Sequence, residues 1–420
     1  MGFEEKLKKE IEGIKIVDMH EHLMPEAKRI KEKADIFWWV KEHMLTNLVS
    51  SGMKDEDAKK LSDKNISLDK KWKFFSPFWE NLRTTGYGKL LLIAAKDLYG
   101  VEDINDKTWK GLSNKITAAN KKGIYKNILK KRSGIDISLV DVSETDYSKN
   151  KYFSDIDNRF FAPVIRVSQF VNIWNKKDID EISKSAKKDI FSVYDIAALM
   201  ETVIEKSKKE GAVAAKFILY RRPLRFEEET SVKAERVFDE IMCEKPNDPK
   251  PLQNYLMHHL MKLLLKYKLP LQVHTGLNGL NYISDSNPVL LSNLFIKYPN
   301  VMFNVFHAGY PYYQEMGVLA KHFKNVYADM SWVYVISPTA SKRILHEWLD
   351  VIPNNKIFGF GGDCFITPEM VYSHAKIARE VIWQVLTEKC RRGVITQDDA
   401  KDIAVKLLRD NAKKFFKLKI

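Results

Sequence analysis

Long apolar runs, signal segments and paired cysteines are all missing from this 420-residue sequence. No apolar stretch approaches the roughly 20 residues of a membrane-spanning helix, so we expect no association with a membrane. The first residues contain neither the apolar core of a signal peptide nor the Ser or Thr of a myristoylation site. The three cysteines are far apart and lack metal-type spacing, which fits a reducing compartment without structural disulfides. These absences together predict a cytoplasmic protein.

Several familiar catalytic patterns are missing as well. The sequence contains no phosphate-binding loop, no Cys-x-x-Cys pair and no Ser-centred elbow of a Ser–His–Asp triad. Nothing of these kinds therefore competes with the chemistry described below.

The net charge of +14 raises the question of a nucleic-acid partner. The lysines, however, alternate with Glu and Asp, as in residues 4–10 and 28–33. This pattern is typical of solvated helix faces, whereas a nucleic-acid site needs a basic stripe with aromatic stacking residues. A positive field can still attract small anionic metabolites to a cleft. We therefore expect a small, anionic substrate and no nucleic acid; a homo-oligomer is compatible with the sequence.

Short apolar and β-branched runs alternate with amphipathic helical stretches along most of the chain. This alternation predicts an α/β protein with parallel strands and crossover helices. Eight such units are the number in a closed (β/α)8 TIM barrel. The alternative is an open doubly wound sheet, but its Gly-rich loop after the first strand is missing. The predicted strands are residues 14–22, 136–142, 160–167, 212–219, 269–275, 301–307, 325–331 and 356–362.

Residues 25–135 interrupt the alternation after the first predicted strand. They are rich in Trp, Phe, Lys and Met and predict several helices. An insertion at this position emerges on the active-site face of a barrel, so we predict a helical insertion that caps the site. Residues 1–24 and 136–420 would then form the barrel. Arg83 and Tyr87 are candidates to reach the substrate from the insertion.

Four predicted strands end in a side chain of a kind that binds metal ions. His20 and His22 close the first, His274 the fifth, His307 the sixth and Asp363 the eighth. Because residues two apart on a strand face the same side, His20 and His22 can bind one cation together. Imidazole nitrogen and carboxylate oxygen suit zinc and its divalent neighbours. One strand-end histidine is usually structural, but four such strand ends favour a metal enzyme.

The same segments resemble the metal motifs of the amidohydrolase superfamily. Within it, they resemble the "amidohydrolase 2" branch of metal-dependent TIM-barrel enzymes, which includes decarboxylases and lactone hydrolases. The likeness to uronate isomerases is more distant. Residues 216–224 and 407–418 resemble the amidohydrolase-like half of glutamine-synthetase-type fusion proteins. The resemblance covers residues 14–24 and about 136–420, and its motifs are Asp18-Met-His-Glu-His22, Val273-His-Thr-Gly276, Phe306-His-Ala-Gly-Tyr-Pro311 and Gly361-Gly-Asp363.

The resemblance implies a role for each strand-end residue. His20, His22, His274 and Asp363 would bind one divalent ion, Zn²⁺ in the first place and Mn²⁺ as the alternative. Asp363 would also accept the proton of a metal-activated water, and His307 would polarise the substrate carbonyl. In two-metal members of the superfamily, His307 would instead be a ligand.

Lys216 and the two arginines that follow it are candidates for substrate binding. Lys216 lies near the end of the fourth predicted strand, where two-metal relatives carry a carboxylated lysine. With a single metal, Lys216 would instead contact the substrate or support the site. Arg221 and Arg222 lie in the following loop and suit a substrate carboxylate. A pair of surface arginines without a function is the alternative for these two.

These inferences predict a metal-dependent hydrolase that acts on an amide, lactone or similar carbonyl bond of a small carboxylated substrate. A decarboxylase or a uronate-type isomerase could use the same residues without water attack. The alternative outside the enzymes is a barrel that binds a ligand or partner and has lost catalysis.

Overall fold

The computed structural model describes residues 2–142, 146–245, 248–277 and 282–420. Within them, eight strands form one sheet whose order follows the sequence from the first strand to the last. The strands are β1 (Ile16–Glu21), β2 (Ile135–Val142), β3 (Phe161–Arg166), β4 (Ala214–Phe217), β5 (Leu271–Val273), β6 (Phe303–Val305), β7 (Val326–Asp329) and β8 (Ile357–Phe358).

Helices separate most of the strands along the chain; none of the described residues between β2 and β3 is helical. A π-helical segment, Lys126–Arg132, precedes β2. The α-helices of the described residues are α1 (Phe3–Gly13), α2 (Glu26–Arg29), α3 (Ile36–His43), α4 (Leu45–Ser50), α5 (Asp55–Ser62), α6 (Leu68–Leu82), α7 (Gly86–Tyr99), α8 (Trp109–Ala119), α9 (Lys176–Ala186), α10 (Val193–Lys209), α11 (Ser231–Met242), α12 (Lys250–Tyr267), α13 (Ser292–Lys297), α14 (Tyr313–His322), α15 (Val333–Ile336), α16 (Pro338–Val351), α17 (Pro368–Arg391), α18 (Gln397–Val405) and α19 (Asn411–Phe415).

The strand order confirms the predicted (β/α)8 barrel. All eight predicted strands are present, and the pairs from β3–β4 to β7–β8 are parallel. β8 is only two residues long, although its predicted run extends to residue 362. Gly361 and Gly362 lie beyond it where a Cβ atom would come within 1.9 Å of Ser331 Oγ and Glu21 Oε1, respectively. The glycines therefore permit a close approach of side chains from other segments.

Among the described residues, no helix combines the length and the apolar character needed to cross a membrane.

Two compact units divide the chain. The first consists of Met1–Ser138, Ser331–His346 and Gly359–Arg409. The second consists of Leu139–Met330, Glu347–Phe358 and Asp410–Ile420. Each unit contains part of the sheet and its own helices.

The first unit contains the helical region that follows β1. Its aromatic side chains pack on one another: the Trp72 and Trp109 rings stack with centroids 5.1 Å apart, and Trp79 donates from Nε1 to the Ile104 carbonyl. Helix α17 packs against α7 and α1. Aromatic residues of this region therefore pack into a core within it.

The second unit contains β3 to β7. These short strands are buried along nearly their whole length, as expected for parallel strands covered by helices. A buried polar ladder crosses three of them: Gln272 Nε2 donates to Asn304 Oδ1, and Asn304 Nδ2 donates to Asp329 Oδ2, each at 3.3 Å. Polar side chains therefore lie in register across neighbouring strands of this unit.

Candidate functional site

Three side chains of the metal-binding type meet in the first unit. His20 Nε2 lies 3.1 Å and His22 Nε2 lies 3.3 Å from the same oxygen, Oδ1 of Asp363. The two imidazole rings meet edge to face with centroids 4.6 Å apart. All three residues are nearly buried. We call His20, His22 and Asp363 the His–His–Asp cluster.

Hydrogen bonds to β1 explain why Asp363 lies beside the two histidines. Three consecutive amide groups donate to β1: Gly362 N to Asp18 Oδ1 at 3.1 Å, Asp363 N to the His20 carbonyl at 2.8 Å and Cys364 N to Glu21 Oε2 at 2.9 Å. Asp363 itself has φ 54°, a left-handed conformation that is unusual for a residue with a Cβ atom. The three bonds hold the chain in this conformation and place the Asp363 side chain beside the two histidines.

Asp18 and Glu21 of β1 accept hydrogen bonds from the two residues on either side of Asp363. Both are fully buried, and Asp18 also accepts a hydrogen bond from Ser138 Oγ at 2.8 Å. Burial raises the pKa of Asp18, and burial together with the Asp18 charge raises the pKa of Glu21. Two buried carboxyl groups that interact in this way hold a shared proton more tightly than separate carboxylates do. Their role here is to fix the backbone that carries Asp363.

Aromatic side chains border the cluster. The Phe365 ring stacks parallel to the His22 ring with centroids 4.4 Å apart, and Phe365 is 47% exposed. Tyr87 lies at the start of α7, beside Trp332. Burial raises the pKa of Tyr87, and the Asp363 carboxylate contributes to the rise. Tyr87 therefore lies near the predicted metal ligands, within the first unit.

The donors of the His–His–Asp cluster fit a divalent metal ion. Two imidazole nitrogens and one carboxylate oxygen form the nitrogen and oxygen set that zinc takes in catalytic sites. Both nitrogens point at one carboxylate oxygen, which brings three potential ligand atoms together.

His274 and His307 meet in the second unit. His307 Nε2 lies 3.1 Å from His274 Nδ1, and His274 Nε2 lies 2.9 Å from the Leu277 carbonyl. Because a carbonyl only accepts, Nε2 of His274 carries its proton and Nδ1 has the lone pair. A metal-binding histidine commonly donates its second N–H to a carbonyl in this way. His307 has φ 62° and is fully buried.

Lys216 is the last residue but one of β4 in the same unit. It is 2% exposed, and its Nζ lies 3.3 Å from the centroid of the Phe306 ring. Its register partners on the neighbouring strands are Arg166 and Gln272. Lys216 is therefore an interior cation of the sheet and not a surface lysine.

The three predicted substrate arginines differ in their surroundings. Arg221 is exposed and has φ 62°. Arg222 is buried and donates from Nη1 to Gln253 Oε1 and from Nη2 to Asn254 Oδ1, which ties it to α12. Arg83 forms ion pairs with Glu80 and Asp103. Arg222 and Arg83 therefore bind neighbouring side chains of the protein. That these two arginines contact the substrate remains a prediction.

Sequence reasoning missed a second polar pair and a cavity in the second unit. Arg166, the last residue of β3, donates from Nε to Asp141 at 3.1 Å and pairs with it also through Nη2. A cavity of about 810 Å³ lies beside Arg166, and Arg221 also lines it. The strand-end rule that identifies the histidines also applies to Asp141 and Arg166, since both lie at the carboxyl ends of strands.

Comparison with known proteins gives three kinds of similarity. The family model described as "Amidohydrolase" matches residues 227–418. The protein FluG of Emericella nidulans is 32% identical over 179 residues, which are 41% of this chain and 20% of FluG. The matched region therefore spans about a fifth of the length of this curated relative.

Solved structures resemble the whole chain. A uronate isomerase from Thermotoga maritima has a TM-score of 0.80 at 14% identity, with 99% of this chain and 97% of that chain covered. A structure described as a metal-dependent hydrolase from Lactobacillus casei has a TM-score of 0.69 at 17% identity, with 98% and 97% covered. At these identities the likeness concerns the fold. Together with the sequential sheet, this likeness shows that the chain has the TIM-barrel fold. The match of residues 227–418 to the family model supports a place in the amidohydrolase superfamily.

Proposed function

We propose that this protein is a metal-dependent hydrolase that cleaves an amide, lactone or similar carbonyl bond of a small carboxylated substrate. The observation that carries the proposal is the convergence of His20 and His22 on one oxygen of Asp363. Barrels of this type support several reactions, so hydrolysis is argued from the residues and not from the fold.

His20, His22 and Asp363 would hold one divalent ion, with His274 as the fourth predicted ligand. Zn²⁺ is the proposed ion and Mn²⁺ the alternative, because both accept imidazole and carboxylate donors. Such an ion supplies Lewis acidity and lowers the pKa of water toward neutrality.

The residues of the chain would then handle the proton and the carbonyl group. Asp363 is the proposed general base, because its carboxylate lies within hydrogen-bonding distance of two imidazoles and is fixed by three backbone bonds. His307 is the proposed group that polarises the substrate carbonyl, because it is fully buried and lies beside His274, the fourth predicted ligand. Both side chains are nearly buried, which strengthens their electrostatic effect.

Lys216 and Arg221 are the proposed contacts for the substrate carboxylate. Lys216 is a buried cation, and Arg221 lines the cavity of the second unit. Arg222, Arg83 and Tyr87 remain candidates, of which Tyr87 is the one placed near Asp363.

The reaction class can be tested with isotopically labelled water. We expect purified enzyme with bound metal to incorporate one oxygen-18 atom per turnover into the product carboxylate when it is given a panel of carboxylated amides and lactones. The control is the same enzyme carrying Asp363→Asn, which should show no incorporation.

Two other outcomes would identify the rival functions. Release of carbon dioxide, or aldose–ketose conversion without uptake of labelled oxygen, would replace hydrolysis by decarboxylation or by uronate-type isomerisation. An absence of bound divalent metal after purification from metal-replete cells would favour a barrel that only binds a ligand.

The remaining proposals concern partners and location. A cytoplasmic protein that binds neither nucleic acid nor membranes remains our expectation from composition and charge pattern.

A further inference from the structure

A cavity rich in lysine lies in the helical region that follows β1, between α3, the loop after α5 and the start of α6. We propose that this cavity, which we call the lysine cavity, binds a small phosphomonoester. All of its lining residues belong to the first unit, and none of them is a member of the His–His–Asp cluster. Its volume of about 370 Å³ lies in the range of about 300–1,000 Å³ that is usual for small-molecule sites.

Lys71 of α6 is a buried cation that faces the lysine cavity. The residue is 5% exposed and lines the cavity. Its ammonium group forms no hydrogen bond and no ion pair with the residues that the structure describes, and the Phe37 ring lies 5.8 Å from its Nζ. Burial lowers the pKa of Lys71, and the charges of Asp35 and Asp63 only oppose this shift. Because a buried cation without a bound anion is costly, a ligand anion in the cavity would stabilise it.

Lys41 of α3 faces the lysine cavity as well. Its Nζ lies 4.7 Å from the centroid of the Trp38 ring, which also lines the cavity. Burial lowers the pKa of Lys41; Asp35 opposes this shift, whereas the charges of Lys64 and Lys71 add to it. The ammonium groups of this cavity therefore repel one another, and an anion bound between them would be attracted by all three.

The lysines of the cavity outnumber its acids. The charged lining residues are Lys33, Lys41, Lys64, Lys71, Glu32 and Asp35. Glu32 is paired with Lys64, and Asp35 accepts the Phe37 amide at the start of α3. Asp63 lies near Lys71 without lining the cavity, and when it is counted one positive charge is still in excess.

The remaining acid near these lysines does not change the balance. Glu42 acts on Lys41 through its charge, but burial raises the pKa of Glu42 to about 8, so at neutral pH it is largely protonated. A phosphomonoester has a charge of roughly −1.5 to −2 at pH 7. Such a ligand therefore matches the excess positive charge of the lysine cavity.

The start of α6 adds uncharged donors that suit a phosphate group. Ser67 and Leu68 line the cavity. The Ser67 Oγ accepts from the Lys70 amide at 3.4 Å, and its hydroxyl hydrogen can donate to a ligand. The first amides of a helix have no partner within the helix and attract phosphate groups. A phosphate offers three oxygens, which can accept from ammonium, hydroxyl and amide groups together.

The two aromatic residues of the cavity limit the size of the ligand. Trp38 is 8% exposed and Phe37 is 1% exposed. Neither ring presents an open face on which a nucleobase could stack. A small phosphomonoester therefore fits the lysine cavity better than a nucleotide does.

The test is a binding experiment on the full chain by phosphorus NMR. Methyl phosphate is the probe, trimethyl phosphate lacks its charge, and malonate carries two negative charges on separate carboxylates. We expect saturable binding of methyl phosphate and at least about fivefold weaker binding of trimethyl phosphate. Malonate should displace methyl phosphate only with an affinity at least about fivefold lower than that of methyl phosphate itself.

Substitutions place the bound phosphate in the lysine cavity. Lys71→Met and Lys41→Met should each weaken methyl phosphate about fivefold or more. Lys70→Met is the matched control, because Lys70 is the exposed neighbour of Lys71 on α6 and does not line the cavity. Asp35→Asn should strengthen binding about twofold, since Asn also caps helices while the negative charge is removed.

One further variant separates the lysine cavity from the proposed metal site. His20→Ala/Asp363→Asn should bind methyl phosphate with unchanged affinity. Loss of binding in this variant, equal affinities for the three compounds, or equal effects of Lys70→Met and Lys71→Met would overturn the proposal. So would wild-type affinity in a folded Lys41→Met or Lys71→Met protein. Because no turnover is involved, the outcome is independent of the oxygen-18 test of hydrolysis.

Discussion

At the residue scale, the proposed metal site consists of three side chains with nearly buried donor atoms. We expect His20→Ala to lower the affinity for Zn²⁺ by about tenfold or more, because one of the three clustered donors is lost. Asp363→Asn should abolish turnover, since an amide cannot accept the proton. Metal content by mass spectrometry and activity on the substrate panel would measure the two effects. The control is His322→Ala, because His322 is an exposed residue at the end of α14. A His20 variant that still binds one ion per chain with unchanged affinity would contradict the assignment of His20 as a ligand.

Lys216 distinguishes one metal from two. The side chain is buried over the Phe306 ring, and Lys216→Met keeps its length and apolar stem while removing the charge. With one metal, we expect kcat/KM to fall by about 10–100-fold while metal content stays at one ion per chain. Complete loss of metal in this variant would instead indicate that Lys216 is part of a metal-binding site.

Part of the candidate site could be predicted from the sequence, because the ends of strands can be recognised from short stretches of residues. His20, His22 and Asp363 were predicted together from their positions, and the structure brings them together. The same rule did not lead to Arg166, because only residue types that bind metals were considered at the strand ends. The roles of Asp18 and Glu21 depend on burial by segments more than 300 positions away, and a local pattern contains no trace of such contacts.

At the element scale, two helices of the region after β1 hold the segment that follows Asp363. Arg29 of α2 donates from Nη2 to both oxygens of Glu369, at 2.9 and 3.0 Å, and both side chains are fully buried. Tyr99 donates to the same carboxylate at 3.1 Å. We expect Arg29→Met to reduce the free energy of unfolding by about 3–5 kcal/mol, because it leaves a buried carboxylate without its cation.

Urea denaturation would measure the effect of this ion pair. The double variant Arg29→Met/Glu369→Leu removes both charges and should recover much of the lost stability. If the double variant is as unstable as Arg29→Met alone, packing and not the unpaired charge is the cause.

Glu42, in α3, should make stability depend on pH. It accepts hydrogen bonds from Phe365 N, from Ile366 N at 3.1 Å and from the Thr367 hydroxyl. Burial, opposed by the hydrogen bonds from Ile366 and Phe365, raises the pKa of Glu42 to about 8. Since the folded-state pKa lies above the ordinary value of about 4.5, the folded protein binds this proton more tightly than the unfolded chain does. The free energy of unfolding should therefore decrease as pH rises between these two values.

The Glu42→Gln variant isolates this contribution. Compared with the variant, the wild type should lose up to about 4 kcal/mol of the free energy of unfolding between about pH 5 and about pH 9, since each pKa unit corresponds to about 1.4 kcal/mol. Denaturation of both metal-free proteins at the two pH values would measure the difference. Parallel pH profiles of the two proteins would contradict the assignment to Glu42.

The elements themselves were largely predictable. All eight strand positions were found, because apolar runs bounded by helical periodicity are strong local signals. The length of β8 was not, because the chain leaves the sheet after Phe358 to bring Gly361 and Gly362 against Ser331 and Glu21. The prediction that residues 25–135 cap the active site remains a prediction, although Tyr87 of this region lies near Asp363.

At the scale of the whole molecule, metal binding should stabilise the fold. A ligand that binds only the folded state adds about 2.7 kcal/mol at a concentration a hundred times its Kd. We expect chelation to lower the Tm by several degrees and added Zn²⁺ to restore it. Differential scanning calorimetry would measure the shift, and a His20→Ala/Asp363→Asn protein should show a much smaller one. An equal response of this double variant would place the stabilising ion elsewhere.

The bonds between β1 and the Gly362–Cys364 segment also bear on how the protein is made. Asp18 and Gly362 are 344 positions apart and Glu21 and Cys364 are 343 apart, so the first strand leaves the ribosome long before its partner segment exists. Its two histidines can meet the aspartate only after residue 363 has been synthesised. If the proposed metal is bound by all three side chains, it can enter only after that point, and a nascent chain truncated before residue 363 would lack the site.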